Sequence, residues 1–167
     1  MSSGTIRAIC GSDTEKTALA YGKAMNALLQ QKRVIIIHFL KGSQEDADWS
    51  LIKRLEPELK IFHFEKSNKC FHELTDDAKE DARLNIRNGL NFAKKVMATA
   101  ECDLLILDEM LNLFEYGIVS IEEFRHMISC QGNMELLLTG RELNRELAGE
   151  IGSMEEIRQV DVDKTGQ

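Results

Sequence analysis

The chain has 167 residues, of which 43% are hydrophobic and 29% charged, with a formal net charge of −7 and a sequence pI near 5.2. This length predicts a single domain over residues 1–167, and the composition is typical of a folded protein. The acidic balance argues against broad binding of nucleic acid or anionic membranes, and no apolar run reaches the roughly 20 residues of a membrane span. With no secretory signal at its start, the sequence predicts a cytoplasmic protein.

Strands and helices alternate along the sequence. Apolar, β-branched runs predict buried strands, and apolar residues at near-helical spacing predict helices between them. The alternation predicts an α/β fold with a mainly parallel sheet of five or six strands joined by right-handed crossovers. In chain order the predicted elements are a strand at Thr5–Cys10, a helix at Lys16–Gln31, strands at Val34–Leu40 and Leu59–Phe64, a helix from Thr75 to about Ala100, a strand at Cys102–Met110, a helix from Ser120, a strand within Met134–Glu142 and a helix at Leu143–Ile151.

The stretch from Gly11 to Thr17, "GSDTEKT", follows the first strand and is similar to a short phosphate-binding loop. In such loops, glycines let backbone N–H groups surround the phosphates, and a lysine supplies positive charge. Lys16 and Thr17 keep the lysine and the hydroxyl, whereas Glu15 stands where a second glycine is usual. The predicted nucleotide contacts in this loop are Gly11, Ser12, Asp13, Thr14, Glu15, Lys16 and Thr17.

Polar residues directly follow four of the predicted strands. They are Gly11–Thr17, Lys41 with Gly42, Asp108 with Glu109, and Thr139–Arg141. In open α/β sheets, ligands bind at the carboxyl ends of the strands. The sequence therefore predicts that the four polar clusters converge at one edge of the sheet.

Four further blocks occur in a recognisable order: "FLKG" at Phe39–Gly42, "LILDEM" at Leu105–Met110, "YGIVSIEE" at Tyr116–Glu123 and "LLLTGREL" at Leu137–Leu143. With the loop, these blocks resemble the ATP:corrinoid adenosyltransferases of the P-loop class, over most of the chain. The loop of that family is itself one residue shorter than the general phosphate-loop template, which accounts for the spacing here.

The resemblance implies a P-loop NTPase-like three-layer sandwich and transfer of the 5′-deoxyadenosyl group of ATP to Co(I) of a corrinoid. In that reaction Co(I) attacks the 5′ carbon and expels triphosphate. The resemblance also implies ATP and Mg²⁺ as cofactors, the corrinoid as substrate, and a homodimer. The acidic composition, by itself, predicts no nucleic-acid or membrane partner.

The family roles transfer to individual residues of this chain, none of which is assigned a catalytic proton transfer. Each role has a structural alternative: a lysine that only opens a helix, a solvated carboxylate pair or one bound to an arginine, or an aromatic anchor in the core. His38 and His63, inside apolar strands, are predicted to be core residues. The implied roles are phosphate binding by Lys16, Mg²⁺ binding by Thr17, Asp108 and Glu109, further nucleotide contacts by Lys41 and Arg141, and corrinoid packing by Phe71.

Several departures from the family pattern support an alternative of another class. Asp13, Thr14 and Glu15 replace Gly-Lys-Gly of the family loop, an expected tryptophan near Phe71 is absent, and the tail is reduced to "QVDVDKTGQ". A carboxylate about 4 Å from a phosphate charge costs roughly 4 kcal/mol at an effective dielectric constant near 20, and about 1 kcal/mol in water. The alternative is a non-catalytic paralogue that binds a nucleotide, a corrinoid or a protein partner.

Restoring the family loop by Asp13→Gly, Thr14→Lys and Glu15→Gly is expected to strengthen MgATP binding and to raise any rate of adenosyl transfer. The triple substitution removes two carboxylates, adds one ammonium group, and returns two positions to a residue that tolerates a left-handed backbone. Calorimetric titration of both proteins with MgATP measures the gain. A triple variant that folds normally without any gain in affinity contradicts the interpretation of Gly11–Thr17 as a decayed phosphate loop.

Overall fold

A computed structural model describes residues 4–12, 14–40, 49–65 and 69–164. Its six strands form one sheet in the order β3-β2-β4-β5-β1-β6, and every neighbouring pair is parallel. The predicted α/β class with a parallel sheet is confirmed. The strands are β1 Ile6–Cys10, β2 Val34–His38, β3 Leu59–His63, β4 Leu104–Asp108, β5 Glu135–Gly140 and β6 Ser153–Glu156.

The neighbouring strands β2 and β4 are buried along their whole length. Alternate residues of a strand point to opposite faces, so each face needs its own cover. Ile35 and Ile37 belong to one apolar core, whereas Val34 and Ile36 belong to the other. Both faces of the sheet are therefore covered, as expected for the P-loop NTPase-like sandwich that the resemblance implies.

Helices form the two outer layers. Small residues of α1, Ala20 and Ala24 among them, let that helix lie close to one face of the sheet. On the other face, α3 packs Ile86 and Leu90 into the larger core. No helix in the described part of the chain is both long and apolar enough to cross a membrane. The helices are α1 Glu15–Leu29, α2 Ser50–Lys53, α3 Asp76–Ala98, α4 Met110–Glu115 and α5 Ile121–Ile128.

The prediction of a helix at Leu143–Ile151 is wrong. That segment contains only a 3₁₀ turn at Arg145–Leu147, although Leu147 is fully buried as the apolar spacing requires. The Asn144 side chain accepts a hydrogen bond from the Glu146 backbone N–H at 2.9 Å, which favours a local turn. The edge strand β6 follows, and its exposed, polar sequence gave no alternating apolar pattern from which to predict it.

Two glycines within helices provide a matched test of the packing. Gly22→Ala in α1 is expected to raise the free energy of unfolding by about 0.5–1 kcal/mol, because alanine favours helix and the added Cβ meets open space. Gly89→Ala in α3 is expected to lower it by about 1–2 kcal/mol, because its Cβ would lie 2.8 Å from Phe64 Cγ. Urea denaturation measures both. Equal stabilisation by the two substitutions contradicts the close approach of α3 to the sheet.

Candidate functional site

The parallel sheet brings three of the four predicted polar clusters together at the carboxyl ends of its strands. The Gly11 N–H, after β1, donates to the Gly140 carbonyl oxygen of β5 at 3.1 Å. The Thr17 hydroxyl in α1 donates to Asp108 Oδ1 at the end of β4, at 3.0 Å. The fourth cluster begins at Lys41, which lies outside the described residues, as does Asp13.

Asp108 is the most enclosed carboxylate of this cluster, with 1% of its surface exposed. Its Oδ1 accepts hydrogen bonds from Thr17 at 3.0 Å and from the Thr139 hydroxyl at 2.7 Å, and its Oδ2 lies 2.8 Å from His38 Nδ1. Burial on its own would raise the pKa of Asp108, but the hydrogen bonds from His38, Thr139 and Thr17 hold it below its ordinary value. Asp108 is therefore a buried, ionised hydrogen-bond acceptor.

Glu109 pairs with the lysine of the loop. Its Oε1 lies 3.1 Å from Lys16 Nζ, and the two side chains are only 14% and 8% exposed. Burial raises the pKa of Glu109, and the Asp108 carboxylate adds to the rise, whereas the Lys16 ammonium opposes it. The loop lysine is thus paired with a carboxylate of the same site.

The backbone at Glu109 is left-handed, with φ 65° and ψ 14°, a conformation that costs a residue with a side chain about 1–3 kcal/mol. Two contacts hold it in place. The Glu109 N–H donates to Thr139 Oγ1 at 2.9 Å, and the Asn112 side-chain amide donates to Glu109 Oε2. This turn ends β4 at Asp108, two residues before the end of the predicted strand, and begins α4, which the sequence analysis did not predict.

Arg141 lies at the outer side of the cluster. Its backbone N–H donates to Asn112 Oδ1 at 2.9 Å, and its guanidinium donates to the Tyr116 hydroxyl at 3.2 Å. Gly140, before it, is closely packed, because an added Cβ would lie 2.4 Å from Leu111 Cβ. The side chain of Arg141 is 46% exposed and therefore accessible to an anion.

The described part of the loop holds its acidic residue Glu15 at the surface. Ser12, Thr14 and Glu15 are exposed, and Glu15 is the first residue of α1, where a negative charge interacts favourably with the helix dipole. None of the described positions between Gly11 and Thr17 has a positive φ. The backbone at these positions therefore does not require glycine. Because water screens the exposed Glu15 carboxylate, its repulsion of a phosphate is closer to the value of about 1 kcal/mol in water than to the value in a low-dielectric site.

Phe71 lies in a 3₁₀ turn at Phe71–Glu73 and is 8% exposed. Its ring centroid is 5.0 Å from that of Tyr116. The Arg83 guanidinium and the Lys79 ammonium lie 5.5 Å and 5.9 Å from the Phe71 ring centroid. Phe71 is thus mostly covered, and Tyr116 connects it to Arg141.

The donor set at this edge fits a cation that is shared with phosphate. Within the described ranges, no three His, Cys, Asp or Glu residues are grouped as a complete metal site. Mg²⁺ commonly uses one or two carboxylates, waters and substrate phosphates instead. The Thr17 hydroxyl donates to Asp108 and keeps its oxygen lone pairs for a cation, and Glu109 offers a second oxygen ligand once Lys16 moves away.

The sequence analysis assigned no role in the site to four residues of the hydrogen-bond network: Thr139, Asn112, His38 and Tyr21. Thr139 lies in one of the predicted polar clusters, and Asn112 follows Glu109 by three residues, one turn of a helix. His38 is buried, as predicted for a core residue, but its ring also contacts Asp108; the same prediction for His63 is wrong, because His63 is exposed at the end of an edge strand. Tyr21 lies on α1 without any local signal, and its hydroxyl lies 2.9 Å from His38 Nε2.

Comparisons with known proteins agree with the family resemblance described in the sequence analysis. The sequence model of the family described as "ATP:corrinoid adenosyltransferase BtuR/CobO/CobP" matches residues 2–163. A corrinoid adenosyltransferase of Escherichia coli is 23% identical over 162 residues, which cover 94% of this chain and 78% of the relative. The corrinoid adenosyltransferase CobA of Salmonella typhimurium is 24% identical over 158 residues, with the same two coverages.

The buried pair of Lys16 and Glu109 provides a test of the site geometry. Lys16→Met is expected to lower the free energy of unfolding by about 3 kcal/mol, because it leaves a buried carboxylate without its cation. The double variant Lys16→Met/Glu109→Gln is expected to recover most of this loss. Denaturant unfolding of the wild type, both single variants and the double variant measures the coupling energy. Strictly additive single effects contradict the ion pair.

Proposed function

This chain belongs to the ATP:corrinoid adenosyltransferase BtuR/CobO/CobP family, and we propose that it transfers the 5′-deoxyadenosyl group of ATP to the Co(I) centre of a corrinoid. ATP and a corrinoid are the substrates that the family implies. Mg²⁺, the homodimer and the cytoplasmic location are part of the same proposal. The acceptor we propose is cob(I)yrinic acid a,c-diamide or a related corrinoid.

One observation carries the proposal. Lys16, Thr17 and the Asp108–Glu109 pair, which lie up to 93 positions apart in the sequence, contact each other at one edge of the sheet. An ammonium group, a hydroxyl and a carboxylate pair are the groups that a triphosphate and its cation require. A loop that only opened a helix would need none of these contacts.

In this reaction the main task of the protein is to stabilise the leaving group, triphosphate. Co(I) supplies the electron pair of the new cobalt–carbon bond. The bond from C5′ to oxygen breaks, and triphosphate leaves with the electron pair of that broken bond. Charge develops on the departing phosphate oxygen, so a fixed ammonium at that position lowers the barrier. We assign this role to Lys16. Mg²⁺, when bound, would add positive charge on the same phosphates, with Thr17 and Glu109 as the protein residues that hold it.

The ion pair between Lys16 and Glu109 couples nucleotide binding to cation binding. When a phosphate takes the Lys16 ammonium, Glu109 is left as a buried carboxylate whose pKa is already raised by burial. A divalent cation that arrives with the phosphate replaces the lost positive charge. We therefore expect ATP alone to bind much more weakly than MgATP, because ATP alone leaves a buried charge uncompensated.

Phe71 is the proposed corrinoid contact, and a continuous set of contacts connects it to the nucleotide site. From Glu109 the contacts pass through Asn112 and Arg141 to Tyr116, whose ring is next to that of Phe71. The low exposure of Phe71 supports an edge contact rather than stacking of its whole face. Arg141, with an exposed guanidinium between the two regions, is proposed to contact the nucleotide.

Turnover is tested by anaerobic incubation of the protein with cob(I)alamin and MgATP, followed by the absorbance change that accompanies adenosylation and by triphosphate release. Lys16→Ala is expected to weaken MgATP binding at least tenfold, because a charge-assisted contact to phosphate contributes about 1.5–3 kcal/mol. Lys95→Ala, at an exposed position near the end of α3, is the matched control and is expected to leave the affinity unchanged.

The outcomes separate the two classes of function. Adenosylation by the wild type excludes the non-catalytic alternative. Tight MgATP binding without adenosylation contradicts the transferase proposal and favours that alternative. Equal dissociation constants for Lys16→Ala and the wild type exclude Lys16 from the phosphate site.

A further inference from the structure

A chain of buried hydrogen bonds leads from α1 to the carboxylate of β4. The Tyr21 hydroxyl lies 2.9 Å from His38 Nε2, and His38 Nδ1 lies 2.8 Å from Asp108 Oδ2. His38 is 3% exposed and Asp108 is 1% exposed. We propose that His38, oriented by Tyr21, is a positioning residue that fixes the Asp108 carboxylate so that Asp108 directs the Thr17 hydroxyl towards the cation of a bound nucleotide. This inference rests on the proposed function.

The positions of the hydrogen atoms follow from the chemistry of the three groups. An ionised carboxylate only accepts hydrogen bonds, so His38 Nδ1 carries the hydrogen that faces Asp108. When the imidazole is neutral, its other nitrogen is an acceptor, and the Tyr21 hydroxyl 2.9 Å away can donate to it. Burial, with a contribution from Asp108, raises the pKa of Tyr21, which keeps its hydroxyl protonated as a donor. Tyr21 thereby selects the tautomer of His38 that donates to Asp108.

The two oxygens of Asp108 have different partners, and the contact with His38 is the one that holds the second oxygen. Oδ1 accepts from both Thr17 and Thr139, whereas Oδ2 is held by His38. Without the His38 contact, the carboxylate can rotate and the Thr17 hydroxyl loses its fixed acceptor. Because the Thr17 O–H donates to Asp108, its lone pairs face away from Asp108, which is the orientation that a cation ligand requires.

Ring contacts hold the imidazole of His38 in this orientation. The His63 ring, from the neighbouring strand β3, stacks on it with a centroid distance of 4.7 Å and an interplanar angle of 8°. The Tyr21 ring meets it edge-on at 5.9 Å. Among the described residues, His63 has no hydrogen bond to Asp108, so it supports the ring without sharing the polar role.

The test combines three variants with one control. Tyr21→Phe removes only the hydroxyl that orients His38. His38→Leu removes the donor to Asp108, and His38→Asn returns a side-chain N–H near the Nδ1 position. His63→Phe keeps an aromatic ring beside His38 and removes the ring nitrogens, so it is the matched control.

The first measurement is ¹⁵N NMR of the histidine rings in the protein without nucleotide, with the His38 signals assigned by their loss in His38→Asn. The wild type is expected to show a neutral His38 ring protonated at Nδ1. Tyr21→Phe is expected to shift the ring towards the tautomer protonated at Nε2. A wild-type ring protonated at Nε2, alone or together with Nδ1, overturns the role of Tyr21, whether or not the protein binds a nucleotide.

The second measurement is the ratio of ATP affinities in Mg²⁺ and in EDTA. Tyr21→Phe is expected to lower this ratio about threefold and His38→Leu about tenfold, with the affinity in EDTA unchanged, because only the cation-linked part of binding depends on Thr17. His38→Asn is expected to recover much of the loss, and His63→Phe to retain the wild-type ratio. A purely structural role of His38 would instead lower both affinities together.

The results distinguish this inference from the proposed function. If the wild type binds MgATP and the Mg²⁺ ratio is the same in Tyr21→Phe and His38→Leu, the positioning role is wrong while the proposed function stands. If the wild type does not bind ATP under either condition, the proposed function fails, and the NMR tautomer decides whether His38 positions Asp108. If His38→Leu does not fold, Tyr21→Phe and His38→Asn still provide both measurements.

Discussion

The buried carboxylate of Asp108 is the constraint around which the site is arranged. A buried charge without hydrogen-bond partners costs several kcal/mol, so a stable fold has to supply donors from whatever elements surround it. Here three different elements do so: Thr17 from α1, His38 from the end of β2 and Thr139 from β5. Satisfying one charge thereby fixes the relative positions of the loop helix and three central strands. The same hydrogen bonds orient the Thr17 hydroxyl.

The neighbouring Glu109 differs from Asp108 in its pKa, its backbone conformation and its charge partner. Its pKa is raised rather than lowered, its backbone is left-handed, and its charge is balanced by the contact with Lys16. Asp108 is a fixed structural acceptor, whereas the proposed function requires the pair formed by Lys16 and Glu109 to exchange partners when phosphate and a cation bind. Two consecutive carboxylates thus take different roles because one lies inside the sheet and the other at the turn that follows it.

The secondary structure was predictable where burial imposes a regular pattern. The strands around Val34–His38 and Leu104–Asp108 are continuous apolar runs because both faces of the sheet are covered, and such runs leave a clear signal. The edge strand Ser153–Glu156 left none, because all four of its residues are exposed and its place in the sheet depends on backbone pairing with β1. The apolar spacing of Leu143–Ile151 indicated burial correctly but not helix, since a turn and a loop can bury the same leucine.

For the site, the sequence by itself determined the chemical groups and their positions at strand ends: the lysine and threonine of the loop, and the carboxylates Asp108 and Glu109. Strand polarity explains this success, because parallel strands bring their carboxyl ends to one edge. Only the tertiary structure decided which of these groups contact each other. Contacts between residues far apart in the chain enclose Asp108 with three donors, pair Lys16 with Glu109, and bring the buried His38 ring to Asp108. No local pattern encodes such contacts, because they depend on which strands are neighbours and on the direction in which each side chain is packed.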